Sequence, residues 1–124
     1  MESIKKGAKV ILADFKGGVD YPLVWHQYCN IITAQSELDD QLSQILDEME
    51  RRRSLLVESQ TSNIGEYNTK SDIVLPRLII ACDEIAEVLD KTGLTKEGKE
   101  LVSRTESKLS TIARQGRAFG IHLV

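Results

Sequence analysis

Cysteine and aromatic side chains are scarce in this chain of 124 residues, and each scarcity removes a class of protein. Two cysteines, Cys29 and Cys82, cannot build the disulfide framework of a small secreted domain. Cys82 lies in an apolar run, where a small buried residue is expected, and a reducing cytoplasmic setting fits. Aromatic residues make up 5% of the chain, and Trp25, Tyr28 and Tyr67 share no regular spacing with basic residues. A stacking platform for single-stranded nucleic acid therefore has no support. No apolar stretch approaches the ~20 residues needed to span a bilayer, and the first ten residues lack a signal-peptide core. Any membrane anchor of a longer parent molecule is expected elsewhere. A formal net charge of −3 and a pI near 5.4 exclude a generally basic surface. Contact with nucleic acid would have to come from local clusters such as Arg51–Arg53, or Arg104, Lys108, Arg114 and Arg117.

What is present is ordinary for a single soluble domain, with 41% hydrophobic and 28% charged residues. Val10, Ile11, Leu12 and Ala13 form a short apolar run closed by Asp14, with Gly17-Gly18 soon after, and predict a buried strand over about 9 to 14. From Ser36 onward, Leu38, Leu42, Ile45, Leu46, Met49 and Leu56 recur at helical spacing, while Asp39, Asp40, Asp47, Glu48 and Arg52 fall mostly elsewhere on the wheel. Ser36 followed by Asp39 suggests the N-cap. The Arg51–Arg53 run reads as a solvated or interface face.

Residues 59 to 72, rich in Ser, Thr, Asn and Gly, predict a loop with at most one helical turn. Pro76 opens a second strand, Leu78 to Cys82, uncharged throughout as expected where both faces of a parallel sheet are covered. A short helix follows, with Ile85, Ala86, Val88 and Leu89 inward, ending near Gly93. Thr95 caps a further helix with Leu101, Val102, Thr105, Leu109, Ile112 and Ala113 inward, stopped by Gly116 and Gly120, and a third strand starts at Ile121. Strands alternating with helices in this way predict an α/β fold with a mostly parallel sheet and crossover helices.

The stretch "LIIACDEIAE", residues 78 to 87, carries the chemistry. Two carboxylates, Asp83 and Glu84, follow an apolar strand directly. On these residues alone two readings stand. Asp83 could cap the next helix, with Glu84 a favourable acid in its first turn. Alternatively the two form a Walker B pair, Asp83 positioning Mg²⁺ through water and Glu84 activating the water that attacks a γ-phosphate. The second reading explains why two acids sit on a stiff, buried strand, because a misplaced metal or water can cost about a hundredfold in rate.

"LPRLIIACDEIAEVL" resembles the Walker B segment of the FtsK/SpoIIIE family of DNA-translocating ATPases, within the larger FtsK/HerA group. Four other stretches are similar to that family in the same order. They are "VILADFKGG" with Asp14 and Lys16, "DEMERRRSLL", "NIGEYN" from Asn63 to Asn68, and "ARQGRAFGIHLV". The flavour of "ADFKGGVDY" and "ACDEIAEVLDKTG" is nearer to coupling ATPases of conjugative elements than to the cell-division and chromosome-partition translocase.

The resemblance implies a partial RecA-like P-loop NTPase core, with residues 1–124 forming one partial motor domain. It implies part of an ATP-driven double-stranded DNA translocase working as a ring, a hexamer in this family, with Mg·ATP bound at subunit interfaces of the full-length protein. In that machine Asp83 binds the cofactor and positions Mg²⁺, Glu84 is the catalytic base, and Arg117 is a finger reaching the γ-phosphate of a neighbouring subunit, with Arg114 in reserve. From the residues alone Arg117 can equally be a cation at a helix C-terminus. His122 reads as a hydrogen-bonded strand residue and Lys16 as a turn lysine.

The phosphate-binding motif G-x-x-x-x-G-K-S/T occurs nowhere in the chain, and the family's sensor glutamine is absent too. The chain alone is expected to be inactive, and to be an internal fragment of a motor. The P-loop strand is expected between the Walker B strand and the strand at Ile121, which predicts an irregular or incomplete sheet, or one completed by a second copy or by the rest of a longer protein. Two other functions compete with the motor. One is a non-catalytic truncated homologue that acts as an interaction module. The other is a motor of type VII protein secretion, against which the Glu-Met-Glu-Arg-Arg helix argues.

Overall fold

The computed structural model describes residues 9–13, 30–82 and 85–124, apart from the side chains of Asn30, Ile85 and Glu87. Its elements in chain order are β1 (Lys9–Ala13), β2 (Asn30–Ile32), α1 (Gln35–Ser59), α2 (Ile64–Lys70), β3 (Leu78–Cys82), α3 (Ile85–Val88), α4 (Lys96–Gln115), a 3₁₀ turn (Gly116–Phe119) and β4 (Ile121–Leu123). The described strands form one sheet in the order β2-β1-β3-β4, and each neighbouring pair is parallel. The α/β class and the parallel sheet expected from the sequence are therefore present.

The sheet corrects one expectation. β3 and β4 are direct neighbours in register Leu78↔Ile121, Ile79↔His122 and Ile80↔Leu123, so no strand is missing between them. The ladder extends beyond both ends, with the Leu78 N–H donating to Gly120 O at 2.8 Å and the Val124 N–H donating to Ile80 O at 2.8 Å. The physical reason lies at the strand starts, where the side chain of Arg52 ties Pro76 to Phe119, as described below. A three-residue strand, β2, also lies where the sequence suggests none.

The core fills the space between sheet and helices. Leu38, Leu42, Ile45, Met49 and Leu56 of α1, Leu109 and Ile112 of α4, and Ala13, Ile32, Ile80 and Ile121 of the sheet are all buried in one cluster. Ile80, in the middle of β3, is fully enclosed. This is the burial expected for the central part of a strand covered on both faces.

Polar residues join this packing. Asp39 is buried, contrary to its expected place on the polar side of α1, because Lys108 of α4 reaches it at 2.8 Å and Thr105 Oγ1 lies 3.3 Å away. Ala86 and Ala113, expected inward, are exposed instead; a methyl group gains little from burial, so larger neighbours set the orientation of each helix.

The helix ends follow local chemistry. Thr95 caps α4 as its sequence position suggests, its Oγ1 accepting from the Gly98 N–H at 3.1 Å. Asn63 caps α2 through the Glu66 N–H at 2.9 Å, turning the expected loop into a seven-residue helix. Ser36 does not cap α1. Ala34 holds that position without a side-chain bond, since the helix starts one residue before Ser36.

Candidate functional site

The carboxylate pair lies outside the described residues, as do Asp14 and Lys16; the frame around the pair is described. β3 ends on Cys82 and α3 begins at Ile85, so Asp83 and Glu84 connect a strand to a helix. β3 is an inner strand, flanked by β1 and β4 along the ladder. The chain leaves β1 towards β2 on one side and leaves β3 towards β4 on the other, so the connections diverge between these two neighbours. In open parallel sheets, ligands bind beyond the carboxyl ends of the strands at such a divergence. In sequence, Asp14 and Asp83 follow the two strands that flank it. Burial pushes the thiol of Cys82 above its usual range, which removes it as a thiolate nucleophile.

A second set of groups converges at the opposite, amino-terminal ends of β3 and β4, and α1 organises it. Arg52 is only 1% exposed, although it sits within three consecutive arginines. The expectation of a solvated face holds for Arg51 and Arg53 and fails for Arg52. Its Nη1 donates to Phe119 O at 2.6 Å, its Nη2 to Pro76 O at 2.7 Å, and its Nε to Glu48 Oε2 at 2.8 Å. One guanidinium thus holds the residue before Arg77 and the turn that carries Arg117. A planar fork can bond two carbonyls and a carboxylate together in a way an ammonium cannot.

Glu48 also accepts two bonds from Arg51, at 2.8 Å each. These bonds, with the one from Arg52, hold its carboxyl down at about 2 against the partial desolvation that would raise it.

The turn on which Arg52 acts admits no side chain at Gly120. This residue has φ of +74°, and a Cβ there would lie 2.7 Å from Ile64 Cδ1 and 3.4 Å from Arg52 Nη1. Gly116 meets a different limit, since a Cβ on it would lie 2.6 Å from the carbonyl oxygen of Ile121. Phe119 is buried, and Arg53 stacks on its ring at 5.0 Å.

Arg117 is exposed on this turn, and it lines a cavity of about 730 Å³ together with Arg77, Arg114, Gln115, Asn63 and His122. The Nη1 of Arg77 lies 3.1 Å from Nε2 of His122. Desolvation first, then the charges of Arg77 and Arg117, lower the imidazole pKa, so the neutral ring accepts from Arg77. His122 is thus the hydrogen-bonded strand residue its sequence context suggests. Arg114, the reserve candidate, lies one helical turn from Ser110, whose carbonyl its Nε bonds at 3.3 Å. The sequence singled out Arg117 and Arg114 but not Arg77. Its one signal was a cation immediately before an apolar strand, whose partner is 45 residues away.

Among the described residues no three His, Cys, Asp or Glu side chains come together to hold a metal, and no helix is long and apolar enough to cross a membrane. Asp83 and Glu84, as adjacent hard oxygen donors, have the chemistry to position Mg²⁺, which is commonly held by one or two carboxylates together with substrate phosphates.

Comparison with known proteins agrees with this frame. No protein-family model matches the chain. A DNA translocase FtsK of Helicobacter pylori strain J99 is 33% identical over 117 residues, covering 91% of this chain and 12% of that relative. The DNA translocase FtsK of Borreliella burgdorferi is 34% identical over 105 residues, covering 80% of this chain and 12% of that protein. Among solved structures, the conjugation coupling protein TcpA of pCW3, a monomer form with ATPgS, superposes with a TM-score of 0.92 at 40% identity, over 97% of this chain and 34% of TcpA. ATPases 2 and 3 of EssC from Geobacillus thermodenitrificans share the fold, with a TM-score of 0.71 at 23% identity over 94% of this chain and 21% of EssC. The chain thus spans 12% of the FtsK relatives it matches and 34% of TcpA. By sequence over most of its length and by fold, the chain is similar to FtsK-type DNA translocases and to the coupling protein TcpA.

Proposed function

We propose that this chain is part of an ATP-driven motor that translocates double-stranded DNA, of the conjugative coupling branch, working as a ring on the cytoplasmic side of the membrane. The observation that carries this reading is the match to TcpA, a coupling protein solved with ATPgS, over 97% of the chain. Asp83 and Glu84, following the inner strand β3 at the divergence of the sheet connections, have the chemistry for nucleotide work. Asp83 would hold Mg²⁺, which would neutralise phosphate charge when bound. Glu84 accepts a proton from the attacking water. Arg117 projects from a turn fixed by Arg52 and acts on the nucleotide of the neighbouring subunit. The chain by itself, without G-x-x-x-x-G-K-S/T, does not turn over ATP.

The test uses the longer protein that carries this chain. Glu84→Gln retains ATP binding and loses hydrolysis, by about a hundredfold or more as for other positioned general bases. Hydrolysis within a fewfold of the parent protein would remove Glu84 from the role assigned to it.

A further inference from the structure

Six of the seven arginines of this chain fall into two groups, Arg104 lying apart from both. On α1, Arg51, Arg52 and Arg53 each meet a carboxylate, supplied by Glu48 or Glu50. Around the cavity at the amino-terminal ends of β3 and β4, Arg77, Arg114 and Arg117 are all exposed, and none has a carboxylate partner among the described residues. Among the described residues no Asp or Glu lines the cavity. Glu66, on the adjoining α2, is engaged by Lys70 at 3.5 Å and by the Ser62 N–H at 3.2 Å. A chain of net charge −3 has thus gathered three cations around one opening, and no carboxylate among the described residues meets them. Like charges so placed repel one another, and the arrangement is stabilised when an anion enters.

We propose that this cavity is a phosphoanion site in which Arg77 and Arg114 act with Arg117 on a single polyphosphate. Four features choose the ligand. Planar guanidinium forks bind phosphate oxygens in bidentate fashion, and three of them offset most of the charge of a triphosphate. The volume of about 730 Å³ admits a group of nucleotide size. His122 is an orienting group, since the neutral ring accepts from Nη1 of Arg77 at 3.1 Å and leaves the other nitrogens of that guanidinium for the ligand. Arg52 fixes the backbone on both sides of the cavity, at Pro76 and Phe119, so the arginines are carried on preorganised positions. The inference rests on the trans-acting reading of Arg117 and adds two residues to it, namely Arg77 and Arg114.

Inorganic triphosphate is the probe, titrated into the 124-residue chain by calorimetry, with the His122 ring proton followed by NMR. Saturable binding that shifts the His122 resonance is expected. Arg77→Ala and Arg114→Ala, both at exposed positions, should each weaken it by about tenfold, the loss typical of one charge-assisted contact. Absence of binding by the parent chain, or binding unchanged in both variants, overturns the proposal. So does tight binding of a duplex DNA oligonucleotide or a polyglutamate peptide with no binding of triphosphate. Circular dichroism of each variant establishes that it folds, and Arg77→Lys, which keeps the charge and loses the fork, should recover binding only in part.

The two readings fail separately. Lost hydrolysis in an Arg117→Ala ring of the longer protein, with triphosphate binding untouched by Arg77→Ala and Arg114→Ala, overturns the cluster and leaves Arg117 in its role. Full hydrolysis in that ring overturns the trans-acting role, and the proposal resting on it, whatever the chain binds.

Discussion

Replacing Arg52 by alanine should destabilise the domain more than any other change in the arginine run. The guanidinium is 1% exposed and satisfies two backbone carbonyls, Phe119 O at 2.6 Å and Pro76 O at 2.7 Å, besides one oxygen of Glu48. Truncation leaves both carbonyls short of a donor, and each buried group so orphaned costs about 1–3 kcal/mol. The aliphatic stem is also lost from the core. Glu48 keeps its bonds to Arg51 and contributes less to the loss. The expected total is about 3–5 kcal/mol, in the range measured when one member of a buried pair is removed.

A domain of this size has about 5–15 kcal/mol to lose. With a urea slope of about 1.5 kcal/mol per molar, the midpoint should fall by roughly 2–3 M. Arg51→Ala, exposed and on the same helix, is the control and should move the midpoint little, since surface ion pairs contribute about 0–1 kcal/mol. The assay is urea unfolding followed by far-ultraviolet circular dichroism. Equal midpoint shifts for the two variants would refute the claim that Arg52 staples the strand starts.

Further expectations concern pH, glycine and the helix pair. The folded pKa of Glu48 is lowered from 4.5 to about 2, so its contribution is full above pH 4.5 and is lost as pH falls through about 2. Partial exposure to water and screening reduce a ceiling of about 3 kcal/mol to roughly 1–2 kcal/mol, and Glu48→Gln should flatten the acid limb of a stability profile. His122 acts over a higher range. With its folded pKa below 6.5, the unfolded chain takes up the proton first, so stability is full above pH 6.5 and declines below it; His122→Gln should remove that decline in thermal melts. Gly120→Ala should cost about 1–2 kcal/mol for the left-handed backbone alone, and more for the clash with Ile64, as read by thermal denaturation. Lys108→Met should destabilise by about 1–3 kcal/mol because Asp39 stays buried without its cation, whereas a Lys108→Met, Asp39→Leu double variant should recover most of the loss.

Much of the fold was legible wherever a local signal and the tertiary context agreed. The apolar runs Val10–Ala13 and Leu78–Cys82 became β1 and β3, and Thr95 capped α4 through its own hydroxyl. β2 was not legible, since Asn30–Ile32 is too short to show an alternation or a run. Arg52 was misread because composition treats three arginines alike. Its partners at Pro76 and Phe119 are 24 and 67 residues away, a distance no local pattern spans. The same bonds account for the direct pairing of β3 and β4, which contradicts the expected intervening strand. Arg77 escaped notice for a similar reason, as its relation to His122 exists only once those two strands are in register.

The central claim is that Arg117 completes a nucleotide site whose acids belong to the neighbouring subunit. Mixing two inactive variants of the longer protein, Glu84→Gln and Arg117→Ala, tests it most directly through steady-state ATP hydrolysis. Mixed rings contain interfaces that pair an intact Glu84 with an intact Arg117 from the next subunit, so activity should return on mixing. Hydrolysis that stays at the level of the separate variants, in rings shown by mass to contain both, would contradict the account.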